Sequence, residues 1–227
     1  MPPPNVIEDI IRIHSCNYKH AEAVFGNDLK ILYLAELQGY TSRRKCYYRP
    51  CAEPYIVSYW DKFRARNISL VDASDLVSLL CGKRQSIRCR PIAGVAPDGS
   101  RFIFKDKPDS DWLHRVHEIS RLGTFEAAAE IARHVLWNHP FTDGNGRLAR
   151  ALFYLALVQG RWLEQPCLGL NGAFEVSGDA LAYAFRRSIE TGDRQGWCEA
   201  VENAVRLAID LANQGQRRED GKVVPLT

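Results

Sequence analysis

A chain of 227 residues that is 46% hydrophobic and 25% charged can bury a core of its own, as one domain or one domain with an appended segment. The formal net charge of +3 is mild, and the basic pairs Arg43-Arg44, Arg186-Arg187 and Arg217-Arg218 are dispersed, which argues against the concentrated basic face of a nucleic-acid binder. The apolar run 151–158 is far too short to span a bilayer, and Met1-Pro2-Pro3-Pro4-Asn5 lacks the basic and apolar regions of a signal peptide, so a cytoplasmic protein without membrane contact is expected, delivery into a host cell staying open.

Seven cysteines, Cys16, Cys46, Cys51, Cys81, Cys89, Cys167 and Cys198, are odd in number and scattered, which reads as reduced thiols rather than a disulfide framework. Cys46, Cys51, Cys81 and Cys89 lack the tight pair spacing that a structural zinc site selects.

In chain order, apolar residues at helical spacing cover 6–14 and, in two pieces, 21–37. Pro50 and Pro54 break the chain at a Tyr-rich turn, and Pro54 suits the first position of a helix reaching about residue 66. Ser69 is placed to cap a helix carrying Leu70, Val71, Leu76, Val77 and Leu80, which Gly82 ends. Residues 87–104 differ: Ile92, Val95, Phe102, Ile103 and Phe104 are strand formers around the turn Pro97-Asp98-Gly99. A lone two-stranded hairpin is marginal in water, so it must lean on a helix or serve a partner. A polar loop at 105–110 precedes a helix over 112–122. Thr124 then caps a long helix with Ala128, Ile131, Ala132 and Val135 on one face. That helix is expected to end near Asn138, because His139 precedes Pro140 and is pushed out of helical dihedrals. Further helices are expected over 146–159, 179–191 and 195–213, with a frayed charged tail from Gln216. The fold class is mainly α with one hairpin. The expected division is a helical N-terminal extension over 1–80, a domain over 81–214 and a charged, flexible tail over 215–227.

The chemistry concentrates in His139-Pro140-Phe141-Thr142-Asp143-Gly144-Asn145-Gly146-Arg147-Leu148-Ala149-Arg150. An apolar helix delivers a histidine at its end, and a second apolar helix starts a few residues later. The glycines let backbone N–H groups face a ligand, and the helix N-terminus adds unpaired donors and a positive dipole end. Phosphate is the usual occupant of such a site. Asp143 stands where a magnesium ion sharing phosphate oxygens could be held. Arg147 and Arg150, three apart, can present forked guanidinium groups to phosphates. His139, with a pKa expected near neutrality, can take a proton from an incoming hydroxyl. The segment lacks the lysine of a Walker loop, which argues against a conventional ATPase. Taken singly, each residue has a plainer reading: a helix cap, a turn glycine, surface arginines, a carboxylate favouring a helix dipole.

This segment resembles the Fic signature, His-x-Phe-x-acidic-Gly-Asn-Gly-Arg-x-x-Arg, at every defined position, and the likeness covers about residues 86–213. The first eighty residues show no such likeness. The resemblance implies a Fic-type helical bundle with a hairpin flap before the catalytic helix-loop-helix. It implies a protein adenylyltransferase, in which His139 deprotonates a Ser, Thr or Tyr hydroxyl of a target protein. The oxygen attacks the α-phosphorus of ATP and pyrophosphate leaves. Asp143 would then hold Mg2+, while Gly144, Asn145 and Gly146 form the anion hole. Arg147 and Arg150 would balance phosphate charge, and Phe141 would anchor the loop. The flap residues Ile92, Ala93, Gly94 and Val95 or Phe102, Ile103 and Phe104 would dock the target by strand addition, a purely structural hairpin staying open. Asn138 departs from the aliphatic residue often found before the histidine.

Other readings remain. Doc-like kinases carry a bulkier residue in place of Gly144, so Gly144 favours AMP transfer over γ-phosphate transfer. A UMP or other nucleotidyl donor, or a non-catalytic toxin-like binding module, also stays open. The self-inhibiting motif of many Fic proteins lacks a Ser or Thr match here. The nearest sequence, Cys198 to Asn203, makes Glu202 a candidate inhibitory residue, although an ordinary helix-surface glutamate is the plainer reading. Inhibition by a separate small protein of the antitoxin kind, or none, is the main expectation.

Overall fold

The computed structural model describes residues 68–95, 99–162 and 177–219, with 62, 173 and 174, and of 158 and 209–219 the backbone alone. The helices expected over 6–14, 21–37 and 54–66, the Tyr-rich turn, Cys16, Cys46, Cys51 and Cys167, and most of the hairpin turn lie outside the described residues.

Within them, six helices and one two-stranded antiparallel sheet are present, so the mainly α fold with one hairpin holds. Helix α1 spans Leu70–Cys81. Ser69 and Asp72 close a reciprocal capping box at its start, and Gly82 ends it in the left-handed region with φ 67°. Strands β1 (Ala93–Val95) and β2 (Arg101–Ile103) pair with Gly94 opposite Phe102. A Cβ on Gly94 would lie 2.5 Å from Phe102 Cζ, so the ring can cross the hairpin only because position 94 has no side chain. The hairpin leans on the bundle through Phe102, whose ring centroid is 5.0 Å from that of Phe104 and 6.1 Å from that of Phe185. Val95 and Ile103 stay exposed.

Helix α2 is Trp112–Ser120, ending before the expected residue 122. Helix α3, Phe125–Asn138, is capped by Thr124, whose hydroxyl accepts from the Ala127 N–H at 3.1 Å. Its expected apolar face, Ala128, Ile131, Ala132 and Val135, is buried. Helix α4 runs Asn145–Gln159, one residue earlier than expected, and carries Leu148, Leu152, Phe153 and Leu157 into the core. Helices α5 (Gly178–Glu190) and α6 (Arg194–Glu219) complete the bundle. Helix α6 reaches Glu219, beyond the expected end at 213 and into the segment read as a frayed tail.

The densest packing is α3 on α4, the two helices that flank the motif loop; α1 covers α4, and α6 packs on both α5 and α3. The buried Trp197 indole Nε1–H donates to the Ala129 carbonyl at 2.7 Å, fixing α6 against α3. Among the described residues no helix is long and apolar enough to cross a membrane.

Candidate active site

The two helices that meet at residues 139–144 set the site. His139 caps α3 in a left-handed conformation, φ 44° and ψ 56°. The proline effect therefore removes it from the helix as expected, but into the left-handed region rather than an extended one. A non-glycine residue there stores roughly 1–2 kcal/mol, which its surroundings must hold. They do so through the His139 N–H on Val135 O at 2.9 Å and the Arg88 Nε–H on His139 O at 2.8 Å.

The imidazole is half-buried, and the Phe104 ring centroid lies 4.1 Å from its own at a 32° tilt. Burial first, then the Arg88 charge, push its pKa down to about 4, while the Leu136 carbonyl and Asp143 oppose the shift. This corrects the expectation of a pKa near neutrality: enclosure by apolar neighbours and one guanidinium keeps the ring neutral. His139 Nδ1 is buried with no hydrogen bond of normal geometry.

Asn145 closes the loop. Its Oδ1 accepts from the Phe141 N–H at 2.9 Å and its Nδ2 donates to the Phe141 carbonyl at 2.8 Å, both buried. Phe141 is fully buried and meets Trp112 edge-on, with centroids 6.2 Å apart. The loop is also stitched to the segment after α1, since Thr142 N–H donates to Ser86 O at 3.1 Å and Thr142 Oγ1 to Gln85 Oε1 at 3.0 Å.

Asp143 is exposed at the rim. Its Oδ1 accepts from the Gly144 N–H at 2.6 Å, and its Oδ2 is 3.3 Å from Lys83 Nζ. Burial raises its pKa, but the Gly144 N–H, Lys83 and Arg147 outweigh this and leave it lowered, hence ionised at neutral pH. The first intrahelical bond of α4 in the loop-side turn is Leu148 N–H to Gly144 O at 2.9 Å, so the N–H groups of Asn145 and Gly146 lie in the first turn, ahead of the helical ladder. Arg147 Nη1 donates to Leu80 O at 3.1 Å, at the C-terminal end of α1. Arg150 lines a cavity of about 310 Å³ together with Gly146, Ala149, the hairpin residues Gly94, Val95, Phe102 and Phe104, and Phe185, Trp197 and Val201. Aromatic rings thus form a wall from His139 through Phe104, Phe102 and Phe185 to Trp197.

Gly144 has φ +81°, and a Cβ built there would meet Cys81 Sγ and lie 2.8 Å from Val77 Cγ2. Its missing side chain would point under the loop into α1. Packing on α1 is therefore a reason for a glycine here in its own right, beside the preference for AMP transfer read from the motif. Glu202 pairs with Arg206 on its own helix at 2.7 Å.

Sequence reasoning missed Arg88, which is 3% exposed and spends its guanidinium on backbone carbonyls around His139. No motif flags it, and a lone arginine in a strand-like stretch reads as a surface residue. Asn138, noted as a departure, is fully buried; its Oδ1 accepts from the Asp109 N–H at 2.9 Å and its Nδ2 donates to the His134 carbonyl at 3.0 Å. An aliphatic side chain could not tie down the loop after the hairpin in that way.

Residues 99–157 match the family model described as Fic/DOC family. Among solved structures the chain is similar to a Fic family protein from Desulfovibrio desulfuricans G20, with a TM-score of 0.57 and 13% identity over 99% of this chain and 77% of that one. No match is found among curated proteins.

Proposed function

The chain belongs to the Fic/DOC family, and from the chemistry of its site we propose that it is a protein adenylyltransferase moving AMP from ATP to a Ser, Thr or Tyr hydroxyl of a cytoplasmic target protein. The observation that carries the reading is the half-buried His139 at the end of α3, packed on Phe104, a ring that lines the same cavity as Gly146 and Arg150 of α4. The triphosphate would meet the N-terminus of α4, where first-turn N–H groups and the dipole favour anions. The base would enter the apolar, aromatic side of the cavity.

With Nδ1 buried, Nε2 is the nitrogen that meets the target hydroxyl. It accepts the proton as the oxygen bonds the α-phosphorus and the bond to the bridging oxygen of pyrophosphate breaks. A neutral imidazole is the form this step needs, and bound polyphosphate favours the imidazolium that results. Positioning and charge stabilisation supply most of the acceleration in such transfers.

Asp143 fits a magnesium ion: it is exposed and ionised, and a cation, the Lys83 ammonium, already lies against its outer oxygen. Among the described residues no cluster of three or more acidic, histidine or cysteine side chains surrounds it, which suits an ion completed by phosphate oxygens and water. When bound, such an ion supplies charge neutralisation at the phosphates. Arg150 would grip the distal phosphates, and Arg147 could do so by leaving the Leu80 carbonyl. An edge of the hairpin, whose exposed face carries Val95 and Ile103, would register the target by strand addition. We assign inhibition, where it occurs, to a separate small protein rather than to Glu202, which is engaged by Arg206.

Incubation of a lysate with ATP labelled at the α- or γ-phosphate, with wild type and His139→Ala side by side, tests the proposal. Label arriving on protein from the α-phosphate, in wild type alone, supports it. Label from the γ-phosphate places the chain with Doc-like kinases, and no label under any condition leaves a binding module.

A further inference from the structure

Among the described residues, Arg88 is a buried cation without a carboxylate partner in hydrogen-bonding contact. Its Nε donates to His139 O at 2.8 Å, Nη1 to Arg90 O at 2.6 Å and Asp106 O at 2.9 Å, and Nη2 to Lys105 O at 2.5 Å and Asn138 O at 3.1 Å. All five N–H donors are used. The acceptors fall in three groups: the C-terminal carbonyls of α3, the segment leading into the hairpin, and the segment leaving it. The residue's own N–H adds a bond to Pro140 O at 2.8 Å. A buried charge costs several kcal/mol in lost hydration, and here carbonyl dipoles and the negative end of α3 offset that cost. Stability alone would be served as well by apolar packing.

We infer that Arg88 is a positioning residue that fixes the left-handed His139 against both stems of the hairpin, so that the target-docking element and the proton acceptor share one frame. This rests on the reading of His139 as the base. Besides burial, which disfavours its protonation most, the imidazole feels the Arg88 cation, which also disfavours it, and the Leu136 carbonyl and Asp143, which favour it; the Phe104 ring packs on its face. Removing the cation therefore raises the imidazole pKa, whereas a lysine keeps the charge but loses the planar fork.

The test compares Arg88→Lys and Arg88→Gln with wild type in three measurements: kcat for AMP transfer, amide hydrogen exchange across Ala93–Val95 and Arg101–Ile103, and NMR titration of the His139 ring without substrate. Arg88→Lys is expected to melt cooperatively, lose roughly 10²-fold in kcat through misplacement, and exchange its hairpin amides faster while α6 is unchanged. Arg88→Gln should in addition move the His139 titration upward. Wild-type kcat or wild-type hairpin protection in Arg88→Lys overturns the inference, as does an unmoved His139 titration in Arg88→Gln. Should Arg88→Gln fail to fold, the Arg88→Lys results decide. Should wild type transfer no AMP, the functional reading falls, while titration and exchange still judge Arg88.

Discussion

Replacing Gly144 by alanine separates two reasons for a glycine at that position. The backbone there has φ +81°, where a side chain costs roughly 1–2 kcal/mol. The added Cβ would also drive into Cys81 Sγ and Val77 Cγ2, both on the buried face of α1, and overpacking of this kind costs about 1–3 kcal/mol. Together Gly144→Ala should destabilise by about 2–5 kcal/mol. Cys81→Ala opens the space beneath, so in the double variant the overpacking part should be partly recovered and the dihedral part retained. Urea melts of the four proteins in the cycle would read this as a favourable coupling of about 0.5–3 kcal/mol. Because the Cβ points into α1, the double variant should still transfer AMP. A single variant as stable as wild type, or a cycle with no coupling, would refute the packing argument. A stable double variant that transfers no AMP would show that this position must also be bare for the nucleotide.

Further outcomes are expected at three residues. His139→Ala should fold and lose about two to four decades in rate, and in wild type kcat/KM should stay flat on acidification until it falls with an apparent pKa of about 4, as the neutral acceptor is lost; a limb near 6.5 in a pH–rate profile would contradict the enclosure described for the ring. The same depressed pKa means that the unfolded chain takes a proton near pH 6.5 that the folded chain refuses until about 4, so melts should show stability falling across that window less steeply in His139→Ala. Asp143→Ala should abolish magnesium-dependent turnover but retain weak ATP binding at the α4 N-terminus in calorimetry; unchanged turnover would place the ion elsewhere. Asn145→Ala leaves the Phe141 N–H and carbonyl buried and unpaired, at roughly 1–3 kcal/mol each, and should lower the denaturation midpoint and transfer rate together.

What could be read from the sequence follows from how local each determinant is. Ser69, Gly82 and Thr124 act within one helical turn, so the caps of α1 and α3 were visible as residue types at fixed spacing. The hairpin announced itself by β-branched and aromatic residues around a turn. The motif residues were legible because loop and helix N-terminus lie within a dozen positions. The pKa of His139 was not, since it depends on Phe104 and Arg88, 35 and 51 positions away in the chain, which tertiary packing alone brings together. The packing duty of Gly144 was hidden for the same reason, because Cys81 and Val77 approach it only once α1 covers α4.

Those long-range ties bear on how the site works. A loop of six residues between two helices would by itself sample many conformations, at about 1–2 kcal/mol of entropy per residue when fixed. Here each end is held by a different element. Asn145 holds Phe141 from α4, residues 85 and 86 hold Thr142, Arg88 holds His139, and Asp109 holds Asn138 from the far side of the hairpin. Most of these partners lie outside the motif, yet each sets the position of a motif residue, or of Asn138 beside it, within hydrogen-bond tolerance. Catalysis by positioning depends on that tolerance. Substitutions at Gln85 or Arg88 should therefore depress turnover although neither residue belongs to the signature, and the loss should exceed what their effect on melting alone would give.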